Sequence, residues 1–147
     1  MDISVHNNFR NTRQHLIFFS ILFFGFILSG CSVKTALLVK VANNPTPLIG
    51  EAVATLTEGT FMVENMNGFR CNGTYNQWET SPLLKVHVTC NDGRYGDVTV
   101  IRSGSSKQNG SGEGVLNDGT AFRVYMGDLA TSELWKQEDD IKKTIIK

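Results

Sequence analysis

The stretch Leu83-Leu84-Lys85-Val86-His87-Val88-Thr89-Cys90 alternates apolar and polar side chains without a break. Leu84, Val86, Val88 and Cys90 form one face, while Lys85, His87 and Thr89 form the other. A period of two is the signature of a β-strand with one face buried and one solvated. It places Cys90 inward. Upstream, Phe69-Arg70-Cys71-Asn72-Gly73-Thr74-Tyr75 follows the turn Asn67-Gly68 and puts Phe69, Cys71, Gly73 and Tyr75 on a shared inner face.

The pattern extends in both directions. Ala52–Thr57 and Thr60–Asn65 flank Glu58-Gly59, a good hairpin connection. Phe61 and Val63 face one way, Met62 and Glu64 the other. Asn91-Asp92-Gly93 opens Tyr95–Arg102, in which Val98 and Val100 share a face. Ser103–Gly112 reads as a flexible loop, and Gly112–Leu116 with Thr120–Met126 reads as a last hairpin about Asn117-Asp118-Gly119. Twelve glycines punctuate residues 50–127. About seven strands spaced near ten residues predict a mostly β fold, an antiparallel meander curled as a small sandwich or barrel. Asp128–Lys147 changes to helical character. Glu138–Lys142 and Asp139–Lys143 are favourable i,i+4 pairs, and Leu134, Ile141 and Ile145 give a partial apolar stripe beside Trp135.

The first 30 residues are chemically different. Six of the nine Phe fall in the first 30 residues. Arg10 and Arg13 precede an apolar run from Leu16 to Leu28, the layout of a secretory signal peptide. A spanning helix needs about 20 apolar residues, and this run falls short. The expected division is therefore a removed signal peptide at 1–30, a tether at 31–49, a β domain at 50–127 and a helix at 128–147. Within the tether, Val33–Val41 reads as a strand or a short helix before Asn43-Asn44-Pro45-Thr46-Pro47 breaks it.

The run ends in Leu28-Ser29-Gly30-Cys31, which resembles the lipobox of bacterial lipoproteins. That resemblance implies cleavage before Cys31, a diacylglyceryl group on its sulfur and acylation of the new amino terminus. Ser32, where an Asp would suggest retention at the inner membrane, favours the outer membrane facing the periplasm. The implied partner is thus a membrane, held through the lipid. Two thiols then remain, Cys71 and Cys90, in an oxidising compartment where a disulfide between them is the expected state. A zinc site would need more ligands than these two and His87 provide, so no metal and no cofactor is expected.

Phe69-Arg70-Cys71-Asn72-Gly73-Thr74-Tyr75, Cys90-Asn91-Asp92-Gly93-Arg94-Tyr95-Gly96 and the Gly110-x-Gly112-x-Gly114 hairpin resemble small envelope lipoproteins and periplasmic proteins of bacteria. In those, a Cys-x-Gly-x-aromatic strand pairs with a Cys-x-Asp-Gly-Arg turn. The resemblance implies a small β domain and carries no biochemical activity with it.

Charge narrows the partners. The 14 basic and 14 acidic residues cancel, and the chain after residue 30 is one unit acidic, so no basic footprint for nucleic acid exists. Gly110-x-Gly112-x-Gly114 is no phosphate loop, because a strand and not a helix follows it. Asp92 and Arg94 form an acid–base pair at a turn, which orients a polar ligand or simply braces the turn. Trp78, in a polar loop, reads as at least half exposed; with Tyr75 or Tyr95 it suits sugar stacking or a protein interface, or else it caps an open end of the sheet core. No catalytic residue set emerges. The expectation is a membrane-anchored envelope lipoprotein with a non-catalytic β domain that contacts an envelope protein or supports envelope structure. A carbohydrate- or peptidoglycan-binding module is the alternative, and a hydrolase built on His87, Asp92 or Asp97 stands behind both.

Overall fold

The computed structural model describes residues 30–145. All of the expected signal peptide but Gly30, including Leu28 and Ser29 of the lipobox, lies outside the described residues. From Ser32 onward the chain is a compact unit. It comprises eight strands, β1 (Val33–Val41), β2 (Leu48–Ala54), β3 (Gly59–Glu64), β4 (Arg70–Tyr75), β5 (Leu83–Cys90), β6 (Tyr95–Ser103), β7 (Asn109–Leu116) and β8 (Ala121–Met126), then one helix, α1 (Asp128–Ile145). Each strand pairs antiparallel with the next, and β1 pairs with β8, closing the sheet into a barrel. Closure leaves no open edge for another chain to extend. Of the two shapes the alternation allowed, the barrel is the one formed.

Period-two patterning builds the wall. Leu84, Val86, Val88 and Cys90 of β5 are buried while the residues between them are exposed. Val98 and Val100 on β6, and Phe122, Val124 and Met126 on β8, join them in the interior. On the outside, directly opposed charges mark the register. Glu64 faces Arg70 across β3–β4 and Glu113 faces Arg123 across β7–β8; both pairs are bonded. Such cross-strand pairs add modest stability and resist a one-residue slip.

Two boundaries differ from expectation. Residues 33–41 are the first wall strand, not part of a tether. The period of two was masked there because Leu37, Val39 and Val41 face inward while Leu38 between them, facing outward, is also apolar. Leu38 is completely buried yet lies outside the interior cluster. Residues 109–112, expected in a loop, belong to β7. The inward positions there are glycines, so the strand lacks the apolar side chains that betray alternation.

Helix α1 explains the outward Leu38. Gly127 turns the chain at φ +68°, and its N–H donates to the Ala36 carbonyl at 2.9 Å. Asn109 fixes the first turn: its Oδ1 accepts the Asp128 N–H at 2.8 Å, and its Nδ2 donates to the Asp128 carboxylate at 3.0 Å. Ala130 is buried, and Lys40 pairs with Glu133 at 2.9 Å. The helix therefore lies against the outside of β1. Its later turns are largely exposed, and no described helix is long and apolar enough to cross a membrane.

Candidate functional site

An antiparallel meander sends alternate loops to opposite ends. The β2–β3, β4–β5 and β6–β7 loops lie at the end where β1 begins and β8 finishes, here termed the upper end. The other four connections form the lower end.

The lower end is fastened by short polar bonds. Asn65 is buried, and its Oδ1 accepts the N–H groups of Asn67 and Phe69 at 3.0 and 3.1 Å. Asn91 accepts from the Arg70 N–H and donates to the Gly68 carbonyl. Asp92 accepts from the Arg94 backbone N–H at 3.1 Å and from its Nε at 2.8 Å. Arg94 also reaches Asp118 in the β7–β8 turn at 3.2 Å and lies over the Phe69 ring at 5.0 Å. These contacts clamp two turns together. The guanidinium hydrogen bond holds the Asp92 carboxyl below the usual aspartate range. Asp118 is also held low, first by the Thr120 hydrogen bonds and then by Arg94.

The structure separates the residues singled out as a surface. Tyr95 is half exposed beside the Asp92–Arg94 pair. Trp78, 64% exposed, lies in the β4–β5 loop at the upper end. The whole of β5 stands between, roughly 25 Å of strand. His87 and Asp97 pair at 3.0 Å on the outer wall.

The interior holds what the sequence did not announce. A cavity of about 280 Å³ runs inside the barrel. Its walls are Leu37, Val39, Val86, Val98, Val100 and Val124, among other apolar side chains, and none of Trp78, His87, Asp92, Arg94, Tyr95 or Asp97 lines it. An eight-stranded barrel is ordinarily just wide enough for its own side chains to fill. Here the phase of each strand turns Gly50, Gly59, Gly73, Gly96, Gly110, Gly112 and Gly114 toward the interior. Close strand approach requires several of them. A Cβ on Gly112 would lie 2.4 Å from the Thr99 carbonyl oxygen, and one on Gly114 would lie 2.4 Å from the Phe122 ring. An apolar void of about 150 Å³ already suffices to take up benzene.

Polar groups line the upper part of this cavity: Thr35, Tyr75, Gln77, Arg102, Ser106, Lys107 and Gln108. Arg102 follows Val98 and Val100 on the inward phase of β6, the one charged side chain in that series. Its Nη2 donates to the carbonyls of Glu79 and Ser81 at 2.7 and 2.6 Å, holding the β4–β5 loop over the barrel. Its Nε is buried without an acceptor. Lys107 donates to the Thr80 carbonyl. Among the described residues neither cation has a carboxylate within ion-pair distance, and no cluster of side chains suits a metal ion. Burial raises the Tyr75 hydroxyl above its usual pKa, partly offset by the positive charge of Arg102.

The chain matches no protein-family model, no curated protein and no solved structure. Any functional conclusion therefore rests on this geometry and on the sequence itself.

Proposed function

We propose that the chain is a lipid-anchored envelope protein whose barrel is a non-catalytic binding domain, its interior receiving a small apolar molecule. The observation that carries this reading is the cavity of about 280 Å³ walled by aliphatic side chains. Concave, mostly apolar sites with a few polar groups at one end are the usual form of a small-molecule pocket. A void this large loses packing contacts on every side and costs stability unless something occupies it.

Placement agrees with an anchor. The barrel begins at Val33 on its upper end, and Cys31, exposed and unpaired, precedes Val33 by two residues. Acylation of Cys31 with export to the outer membrane would hold the polar end of the cavity near the lipid surface. Protein contact is left to the outer wall and the exposed turns of α1. The carbohydrate reading is left with less support, because Trp78 and Tyr95 occupy opposite ends and Tyr75 lines the cavity.

The test is titration with 1-aminoanthracene, a neutral apolar fluorophore. Saturable enhancement with one site per chain, lost when Ala52 is enlarged to Phe, supports the reading. No enhancement in a folded wild-type chain overturns it.

A further inference from the structure

We propose that the occupant of the barrel is a single-chain amphiphile with an anionic oxygen headgroup, its head against Arg102 and its alkyl chain along the barrel axis. This rests on the reading of the barrel as a binding domain and adds the chemistry of the ligand.

The cavity's shape calls for a chain. On β1 alone its lining runs from Val33 to Val41, roughly 26 Å of strand. With strands tilted about 40° from the axis, that is a depth of about 20 Å. A volume of about 280 Å³ spread along such a depth makes an elongated channel, suited to an extended alkyl chain.

Polarity calls for a head at one end only. Below the upper loops the lining is apolar apart from Thr35 near the start of β1, with Leu116 and Phe122 toward the lower end. A polar group there would lose water and find no partner. At the upper end Tyr75, Gln77 and Gln108 supply neutral hydrogen-bonding groups, and Arg102 and Lys107 supply positive charge.

The charge calls for an anion. Arg102 spends Nη2 on two backbone carbonyls, which leaves its net charge uncancelled, and its buried Nε–H lacks an acceptor. The nearby Glu79 carboxylate is turned to its own loop, where it accepts the Ser81 N–H at 2.8 Å. A ligand oxyanion meets both needs, because charge-assisted bonds from guanidinium to carboxylate or phosphate are the strong class. The raised Tyr75 hydroxyl stays protonated at neutral pH and offers a further donor. A fatty carboxylate and a monoalkyl phosphate share this chemistry.

The experiment uses the full chain, delipidated and held in amphipathic polymer, titrated calorimetrically with dodecanoate, dodecyl phosphate and dodecanol. At least one anion should bind tenfold or more tighter than the alcohol, and the tighter of the two identifies the headgroup. Arg102→Met should bring that anion to the level of the alcohol, while Arg102→Lys retains most of the preference. Because Arg102 also holds the β4–β5 loop, the wild-type comparison decides if Arg102→Met fails to fold. Equal binding of all three compounds overturns the headgroup assignment and leaves the binding domain standing. Binding of 1-aminoanthracene but of none of the three overturns the amphiphile. If the fluorophore does not bind either, the binding domain itself fails.

Discussion

Cys71 and Cys90 stand directly opposite each other, Cα atoms 4.0 Å apart, across the β4–β5 ladder and are joined by a disulfide. That ladder registers only two Cα partners, whereas every other neighbouring pair in the barrel registers between five and eight. The covalent bond thus sits at the seam with the least backbone pairing. The cysteines were expected to pair from their compartment and their inward phase, and the structure adds why the barrel needs the bond there.

Reduction, or the pair Cys71→Ala with Cys90→Ala, should therefore lower stability by about 3 kcal/mol, the chain-entropy value for a loop of roughly 20 residues. Denaturant unfolding with and without reductant measures this. The first amides to exchange should be those of β4 and β5. Unchanged stability would mean that the seam holds without its bond.

Leu38 should behave as a core residue although it faces away from the barrel interior. Leu38→Ala is expected to cost about 3 kcal/mol and to raise hydrogen exchange in α1 before the strands. Leu37→Ala, on the same strand but inward, should affect the interior instead. A loss below about 0.5 kcal/mol at Leu38, the level of an ordinary surface change, would show that α1 does not pack on β1.

Acid should loosen the lower end. Asp92 is held below the ordinary aspartate value of 3.8, chiefly by its hydrogen bond from Arg94. A carboxyl depressed in the folded state contributes stability above its unfolded pKa and loses it as pH falls through the lower folded value. The contribution is thus complete at neutral pH and fades as pH falls below the ordinary value of 3.8 and through the lower folded value. Arg94→Met should remove that segment of the pH–stability curve and bring the Asp92 carboxyl, followed by NMR, back toward its ordinary value. Because the group is well exposed, the change will be small.

Cys31→Ser should abolish lipidation and cleavage, leaving a longer chain of unmodified mass by mass spectrometry. A wild-type chain that begins at Met1 with no added lipid would contradict the anchor.

How much was legible in the sequence follows from where side chains carry a signal. Clean alternation in Leu83–Cys90 and the Asn-Gly and Asp-Gly turns revealed the β meander, and the i,i+4 pairs revealed the final helix. What escaped was written in missing side chains. Gly110, Gly112 and Gly114 read as turn punctuation, yet they face inward in phase with Leu116 and let the neighbouring strands approach closely. Arg102 was equally readable by parity, two positions beyond Val100, as a charge facing an apolar interior. Asp92, Arg94, Tyr95 and Trp78 drew notice because they are polar or aromatic at turns, but one loop lies at each end of the barrel. No count along the chain reveals that distance.

A barrel that serves as a binding domain should leave the membrane with its ligand inside. Native mass spectrometry of the chain released gently from membranes tests it most directly, with Ala52→Phe as the filled-barrel control. One small amphiphile per wild-type chain and none on Ala52→Phe are expected, with both proteins folded. A wild-type chain that emerges ligand-free, or a variant that carries the same load, would contradict it.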